Sequence, residues 1–284
     1  MIIYLTAFSI SLILTQFMKY KPILRNRDRL KTVSDMLPDG VGLAPAISFM
    51  ITSYIFTDFR STYILLVTLM GLIDDLYGLS WKYKIVFPSL MVKGKIMSLI
   101  SIFIVNSVNI LSGINGLEIS QYLVMAFFMY RKTKDILFLI FILALLPLFA
   151  ENAYPAQVFG GNTFSFFGGA TLFYLAYRTN MVWYLMAHHH LQIFNFVLSI
   201  PQLIGVYPCP RHRMPTHIGK SLIPSKMVHG GYINLTLLNL ILYCWGPMNE
   251  HVLYFIVHGL QIGISIIFDL FITLLENFIQ KINI

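Results

Sequence analysis

The segment MIIYLTAFSISLILTQFM, residues 1–18, contains no Lys, Arg, Asp or Glu and consists mostly of apolar residues. Basic residues dominate positions 19–31, where Asp28 is the single acidic residue. The basic residues are Lys19, Lys21, Arg25, Arg27, Arg29 and Lys31. A cleaved signal peptide would carry its basic residues before the apolar run, so we expect a retained transmembrane helix. Basic loops concentrate on the cytoplasmic side of a membrane, and residues 19–31 are therefore predicted to be cytoplasmic.

The composition of the whole chain also indicates a membrane protein. Of its 284 residues 57% are hydrophobic and only 11% are charged, with a mean hydropathy of +0.73. A soluble domain carries about 25% charged residues, so a soluble enzyme, a disordered protein and a charged nucleic-acid module are excluded. The net charge of +8 is read as basic loops that face anionic headgroups or substrates. Two cysteines are too few for a disulfide framework.

Nine further apolar segments follow the first, several of them shorter than the about 20 residues that a straight span requires. They are residues 41–57, 61–76, 85–111, 117–130, 136–150, 163–177, 181–206, 232–247 and 251–276. A backbone inside lipid must satisfy its own hydrogen bonds, so these spans should be helical. The sequence therefore predicts an all-α, polytopic transmembrane protein of about nine or ten helices, in a single membrane domain over residues 1–284. If successive spans cross the membrane in strictly alternating directions, the basic residues within 131–134 fall on the side of the membrane opposite the cytoplasm.

Paired carboxylates and nearby lysines form the first of four polar groups. Ionisable side chains beside a membrane core are costly and therefore indicate function. Asp74 and Asp75 directly follow an apolar run, and Lys82 and Lys84 come shortly after. Adjacent carboxylates raise each other's pKa unless a cation is near. The pair is either a solvated helix terminus or a site that meets a metal or takes a proton.

Three further groups carry amides, glycines and arginines. Asn109 and Asn115 flank a glycine turn, and such amides either end a helix or ligate a hard cation and hydrogen-bond a base or sugar. Gly160 and Gly161 precede the start of a helix, and they either form an ordinary interhelical turn or offer their backbone amides to a phosphate. Residues 211–213, RHR, present two forked donors suited to phosphate, or merely mark a cytoplasmic loop.

In this order and at these helix ends, the four groups resemble those of the eukaryotic UDP-N-acetylglucosamine:dolichyl-phosphate N-acetylglucosamine-1-phosphate transferases. These enzymes belong to the polyprenyl-phosphate sugar-1-phosphate transferase superfamily. The most specific part of the resemblance runs from residues 192–196, QIFNF, through 199–203, SIPQL, into 208–213, PCPRHR. Residues 246–250, GPMNE, extend it further along the chain.

The resemblance implies an activity, a cofactor and a location. The phosphate oxygen of dolichyl phosphate attacks the β-phosphorus of UDP-GlcNAc, which releases UMP and forms GlcNAc-PP-dolichol, the first lipid-linked intermediate of protein N-glycosylation. A divalent ion, normally Mg²⁺, offsets charge on the pyrophosphate. The implied partners are UDP-GlcNAc, dolichyl phosphate and the lipid bilayer, with a homodimer left open and no nucleic acid. The implied location is the endoplasmic reticulum membrane, multi-pass, with the site facing the cytosol.

The resemblance also implies roles for single residues. The metal ligands would be Asn109 and Asn162. The acceptor phosphate would be oriented or deprotonated by Asp74 and Asp75, and Lys84 would bind phosphate.

The remaining implied roles concern the nucleotide sugar. Asn115 would read the uracil, on which Phe159 would stack. Arg211 and Arg213 would hold the pyrophosphate, while His212 shapes the acetamido-sugar pocket. Asp39 lies near an acidic position in the first loop of the family.

Three departures from the family pattern carry expectations of their own. Asn162 replaces an aspartate, which removes one negative charge from the metal site and predicts weaker metal binding or lost catalysis. Gly78 replaces an asparagine. Lys84 and Asn109 are only 25 positions apart, about 38 Å of helix, which is enough for one span and not two. Either residues 91–95 turn a shallow hairpin, or a segment is missing, or the motifs fall on opposite faces.

These departures leave two functions open. The first is an active sugar-1-phosphate transferase, favoured by four motifs in order. The alternative is a degenerate, non-catalytic relative that binds nucleotide sugar or lipid, or that serves as a membrane scaffold. A transporter is disfavoured because the sequence lacks the repeats of broken helices that are expected there.

Overall fold

The computed structural model describes residues 2–28, 36–60, 62–90, 92–210, 213–226 and 233–282. This part of the chain forms twelve α-helices and two short antiparallel hairpins, so the all-α prediction holds apart from the hairpins. The helices are α1 (Ile2–Tyr20), α2 (Leu43–Thr57), α3 (Thr62–Tyr77), α4 (Trp81–Ser89), α5 (Lys95–Leu111), α6 (Leu117–Thr133), α7 (Ile136–Asn152), α8 (Gly161–Arg178), α9 (Val182–His188), α10 (His190–Leu203), α11 (Leu237–Trp245) and α12 (Glu250–Ile282). The hairpins pair β1 (Leu24–Arg27) with β2 (Met36–Asp39), and β3 (Thr216–Ile218) with β4 (Ser221–Ile223).

The number of membrane spans differs from the prediction. By length and composition, α1 and α12 are long and apolar enough to cross a bilayer, and the predicted nine or ten spans are not confirmed. Two predicted segments each contain two helices. The segment 85–111 is divided between α4 and α5, with Gly94 at φ +99° before α5. The segment 181–206 is divided at His189, which lies between α9 and α10.

Helix α8 lies at the centre of the bundle, with almost every residue from Thr163 to Ala176 buried. Two glycines bring neighbouring helices into backbone contact with it. A Cβ added at Gly169 would lie 2.5 Å from the Cα of Val105 on α5, and one at Gly71 on α3 would lie 2.6 Å from the carbonyl oxygen of Asn162. Only glycine allows such approach, so the ends of α3, α5 and α8 are held close together.

The short helix α4 folds back along α5. Ser101 Oγ of α5 donates to the carbonyl oxygen of Pro88 at 2.7 Å. Nearer the other end, Asn106 Nδ2 donates to the carbonyl oxygen of Lys84 at 3.4 Å. The shortened stretch between Lys84 and Asn109 is therefore a hairpin, which places both residues at the same end of the bundle.

The opposite end of the bundle carries the basic residues that follow α6. Arg131 pairs with Asp269 at 2.7 Å, and Lys132 pairs with Glu276, both carboxylates being on α12. Across the same end, Arg178 at the end of α8 pairs with Asp135 at 2.8 Å. These cations lie on the far side from the polar motifs, as alternation predicts, and carboxylates balance them there.

Candidate active site

A cavity of about 420 Å³ opens at the end of the bundle where α3, α5 and α7 finish and α6, α8 and α12 begin. Its walls are rich in carboxylates and amides. Eight Asp, Glu and Asn residues that line it are Asp28, Asp39, Asp74, Asp75, Asn109, Asn115, Glu118 and Asn162. Phe159 adds an aromatic ring to the same wall. The volume lies within the range of small-molecule sites.

Asp75 caps the first turn of α8. Its Oδ1 accepts a hydrogen bond from the backbone N–H of Asn162 at 2.7 Å. Its Oδ2 accepts from the N–H and the hydroxyl of Thr163, at 2.8 and 2.7 Å. The backbone amides at residues 162 and 163 are therefore bound to a carboxylate of the protein, which supplies an anion at this helix terminus. The idea that the amides of Gly160 and Gly161 approach a phosphate stays a prediction.

Asp74 is buried and bound to Lys84. Its Oδ2 lies 2.6 Å from Lys84 Nζ, an ion-pair contact, while its Oδ1 accepts from the backbone N–H of Leu79 at 2.7 Å. Gly78, in the turn between them, has φ +68°. Asparagine and glycine both adopt this left-handed conformation readily, so glycine in place of asparagine preserves the turn.

The two residues predicted to hold a metal are in contact with each other. Asn109 Nδ2, at the end of α5, donates to Asn162 Oδ1 at 3.1 Å. Carboxylates enclose the neighbouring Gly161, where an added Cβ would lie 2.5 Å from Asp75 Oδ2 and 3.1 Å from Asp39 Oδ1. Among the residues that the structure describes, no three His, Cys, Asp or Glu side chains are grouped so as to hold a metal ion. A hard cation bound here would have amide oxygens as ligands, with carboxylates nearby.

Three distant elements hold the turn between α5 and α6. The backbone N–H of Asn115 donates to Glu250 Oε1 of α12 at 2.7 Å. Its side-chain Nδ2 donates to Asp28 Oδ2 at 3.3 Å. The N–H of Gly116, which has φ +78°, donates to Asn152 Oδ1 of α7 at 3.1 Å. Our sequence reasoning gave no role to Asp28, Glu250 or Asn152, although Asp28 stands out as the single acid in a basic loop.

A second cavity of about 320 Å³ shares Asn109, Ser112 and Gly113 with the wall of the first. Arg213 and Asn195 line it. Asn239 Nδ2 fixes the backbone of Arg213 by donating to its carbonyl oxygen at 2.8 Å. Arg213 Nη1 and Asn195 Nδ2 are buried and bind no hydrogen-bond acceptor in the described part of the chain. Buried donors without a partner are costly, so this cavity is built for a ligand that supplies acceptors.

The structure brings most of the predicted site residues together. Six of them line the first cavity: Asp74, Asp75, Asn109, Asn115, Phe159 and Asn162. Lys84 reaches the group through Asp74, and Arg213 lies in the adjoining cavity. Arg211 and His212 lie outside the described residues. The roles assigned to all ten residues stay predictions.

Comparison with known proteins agrees with the resemblance. Residues 90–180 match the family described as glycosyl transferase family 4. A Schizosaccharomyces pombe protein named UDP-N-acetylglucosamine--dolichyl-phosphate N-acetylglucosaminephosphotransferase is 28% identical, over 70% of this chain and 65% of its own length. Proteins of the same name from Dictyostelium discoideum and Leishmania amazonensis are 27% and 33% identical, over 75% and 54% of this chain and 72% and 39% of their own lengths. This chain spans less than two thirds of the S. pombe relative. The resemblance predicted from the sequence is confirmed, and residues 90–180 are similar to the glycosyl transferase family 4 proteins.

Proposed function

We propose that this protein transfers GlcNAc-1-phosphate from UDP-GlcNAc to dolichyl phosphate, releasing UMP and forming GlcNAc-PP-dolichol. One observation carries the proposal. Amides, an aromatic ring and Arg213 from distant parts of the chain meet at two adjoining cavities at one end of the bundle, and Lys84 is bound to Asp74 in the wall of one of them. Phosphoryl transfer needs positioning and charge neutralisation more than covalent chemistry, and these residue types supply both.

The nucleotide and the diphosphate have separate places in this arrangement. Asn115 and Phe159 share the first cavity, where an amide and a ring can bind a uracil. Arg213 lies across the shared wall and offers buried guanidinium donors to a diphosphate. Charge-assisted bonds of this kind are about twice as strong as neutral ones.

The acceptor phosphate has a cation in the first turn of α4. Lys84 Nζ binds Asp74 Oδ2, and an ammonium has three donors, so two remain for phosphate oxygens. A phosphate monoester is anionic at neutral pH, and its attack therefore requires little help from a base. Both carboxylate oxygens of Asp75 accept hydrogen bonds from backbone N–H groups of α8. This arrangement suits a residue that positions Asn162.

The site also suits Mg²⁺, which takes oxygen ligands. Asn109 and Asn162 would hold the ion, since their side chains are in contact and face the cavity. When bound, Mg²⁺ would supply charge neutralisation on the pyrophosphate. With an amide at position 162 in place of a carboxylate, we expect weaker binding of the ion than in relatives with aspartate there.

We also propose the endoplasmic reticulum membrane as the location, with the cavities facing the cytosol. The basic loop after α1 supports this orientation, because Lys19 pairs with Glu151 at 2.8 Å at the cavity end of α7. Basic loops favour the cytoplasmic side. A homodimer stays a prediction. The alternative of a non-catalytic relative finds no support in the names of the relatives, which are all those of transferases.

The test is release of UMP by the purified protein in lipid nanodiscs with UDP-GlcNAc, dolichyl phosphate and Mg²⁺. We expect UMP and lipid-linked GlcNAc pyrophosphate in equal amounts. The matched control is the variant Lys84→Met, which should bind UDP-GlcNAc but transfer slowly. If the wild type releases no UMP across a wide range of Mg²⁺ concentrations, the proposal is overturned.

A further inference from the structure

The amide of Asn115 is held in one orientation by a carboxylate from a distant loop. Asp28 lies just after β1, and Asn115 lies in the turn after α5, so the two are 87 positions apart. Asp28 is 5% exposed and Asn115 is 6% exposed. The contact from Asn115 Nδ2 to Asp28 Oδ2 at 3.3 Å is therefore buried, and a buried bond of this kind is costly to break.

A carboxylate can only accept hydrogen bonds, whereas an amide can both donate and accept. The Asn115 side chain must therefore turn its nitrogen toward Asp28 and its oxygen away from it. Within the part of the chain that the structure describes, no group donates to Asn115 Oδ1. The residue lines the first cavity, so this oxygen is the acceptor that a ligand in the cavity can use.

The orientation of this amide bears on which pyrimidine can bind. Uracil presents N3–H, a donor, between two carbonyl oxygens. Cytosine presents N3 as an acceptor beside an amino group. An amide oxygen opposite N3 therefore pairs with uracil, and only an amide that has flipped can donate to N3 of cytosine.

We propose that Asp28 is a positioning residue that makes the site selective for uracil over cytosine, because it prevents the Asn115 amide from flipping. The inference rests on the proposed function, in which Asn115 reads the base. In this proposal Asp28 acts through its hydrogen bond with Asn115.

A second carboxylate offers a matched control. Glu250 Oε1 binds the backbone N–H of Asn115 at 2.7 Å and leaves its side-chain amide alone. Glu250→Gln keeps an acceptor oxygen at this point, so the turn keeps its support and the amide keeps its orientation. Only a change at Asp28 should alter the choice of base.

The experiment measures the affinities of UMP and CMP for the full chain in nanodiscs by calorimetry. We expect the wild type to prefer UMP. Asp28→Asn, whose amide accepts either orientation of Asn115, should lower the UMP:CMP affinity ratio at least tenfold. Asp28→Glu and Glu250→Gln should keep the ratio near that of the wild type. If Asp28→Asn does not fold, judged by its thermal unfolding, Asp28→Ser takes its place because it also removes the carboxylate.

The outcomes separate this inference from the proposed function. An unchanged ratio in the Asp28→Asn protein, even with both affinities reduced, would show that Asp28 only supports the loop and would overturn the inference. A wild type that binds both nucleotides equally would overturn the inference alone. A wild type that binds neither nucleotide would overturn the proposed function as well.

Discussion

Asp75 at the end of α3 accepts a hydrogen bond of 2.7 Å from the backbone N–H of Asn162 in the first turn of α8. The same carboxylate binds Thr163 through both its N–H and its hydroxyl. An anion at this point stabilises the positive end of the helix. Asp75 and the predicted metal ligand Asn162 are thus parts of one hydrogen-bonded unit, and a change at Asp75 should alter the position of Asn162.

Replacing Asp75 by asparagine tests this unit. An amide offers one acceptor oxygen where the carboxylate offers two, so Asp75→Asn should lose at least one of its three bonds. We expect a loss of about 1–2 kcal/mol of stability, seen as a lower midpoint of thermal unfolding, together with slower UMP release. Thr163→Ser, which keeps the hydroxyl, should behave like the wild type. An Asp75→Asn protein with an unchanged midpoint and full turnover would show that the carboxylate does not support α8.

Asn162 is the second point of test, because it carries an amide where the family carries a carboxylate. Asn162→Asp adds a negative charge beside Asn109, and Asn109 Nδ2 can donate to the new carboxylate as it now does to the amide. Since charge largely determines how tightly hard cations bind, the Mg²⁺ concentration for half-maximal UMP release should fall severalfold. Asn162→Ala should raise it. The same Mg²⁺ dependence in all three proteins would place Asn162 outside the ion's ligands.

The close packing of α5 against α8 predicts the effect of a single methyl group. In Gly169→Ala the new Cβ would meet the Cα of Val105 at 2.5 Å, which forces the two helices apart. Overpacking of this kind costs about 1–3 kcal/mol, and the displaced α5 should carry Asn109 away from Asn162. We expect a lower unfolding midpoint and reduced transfer.

Gly259→Ala is the matched control for this prediction. Gly259 lies within α12, and a Cβ added there meets nothing within 4 Å. Because alanine forms helices better than glycine by about 1 kcal/mol, this variant should be as stable as the wild type or more so. Equal losses in both variants would mean that the contact between α5 and α8 does not explain the effect.

The sequence predicts the helical class and the position of each polar motif at the end of an apolar run. Helix ends in a bundle collect at two faces, and the short stretch between Lys84 and Asn109 leaves open whether Asp75 and Asn109 share one of them. The division of 85–111 into α4 and α5 is one of three alternatives at residues 91–95, since both halves are apolar and only Gly94 with its flanking lysines marks the turn. A single glycine inside an apolar run is a weak breaker signal.

The supports of the Asn115 turn could not be predicted from local sequence. Glu250 is 135 positions away along the chain, and its partner is a backbone N–H, which carries no signature of its own. Asp28 is visible as a lone acid among basic residues, but its neighbours suggest ion pairing within the loop. Only the tertiary fold shows that it reaches Asn115.

Arg213 gives the last prediction, which concerns the diphosphate. Its Nη1 is buried without a partner among the described residues, while Asn239 fixes its backbone. Arg213→Ala should therefore lower kcat/KM for UDP-GlcNAc at least a hundredfold while leaving the unfolding midpoint near that of the wild type, because no bond within the described protein is lost from the guanidinium. Arg213→Lys should restore little, since a point charge cannot replace a planar fork that binds two oxygens. Turnover at the wild-type rate in the alanine variant would remove Arg213 from the diphosphate site, and equal recovery with lysine would show that charge alone matters.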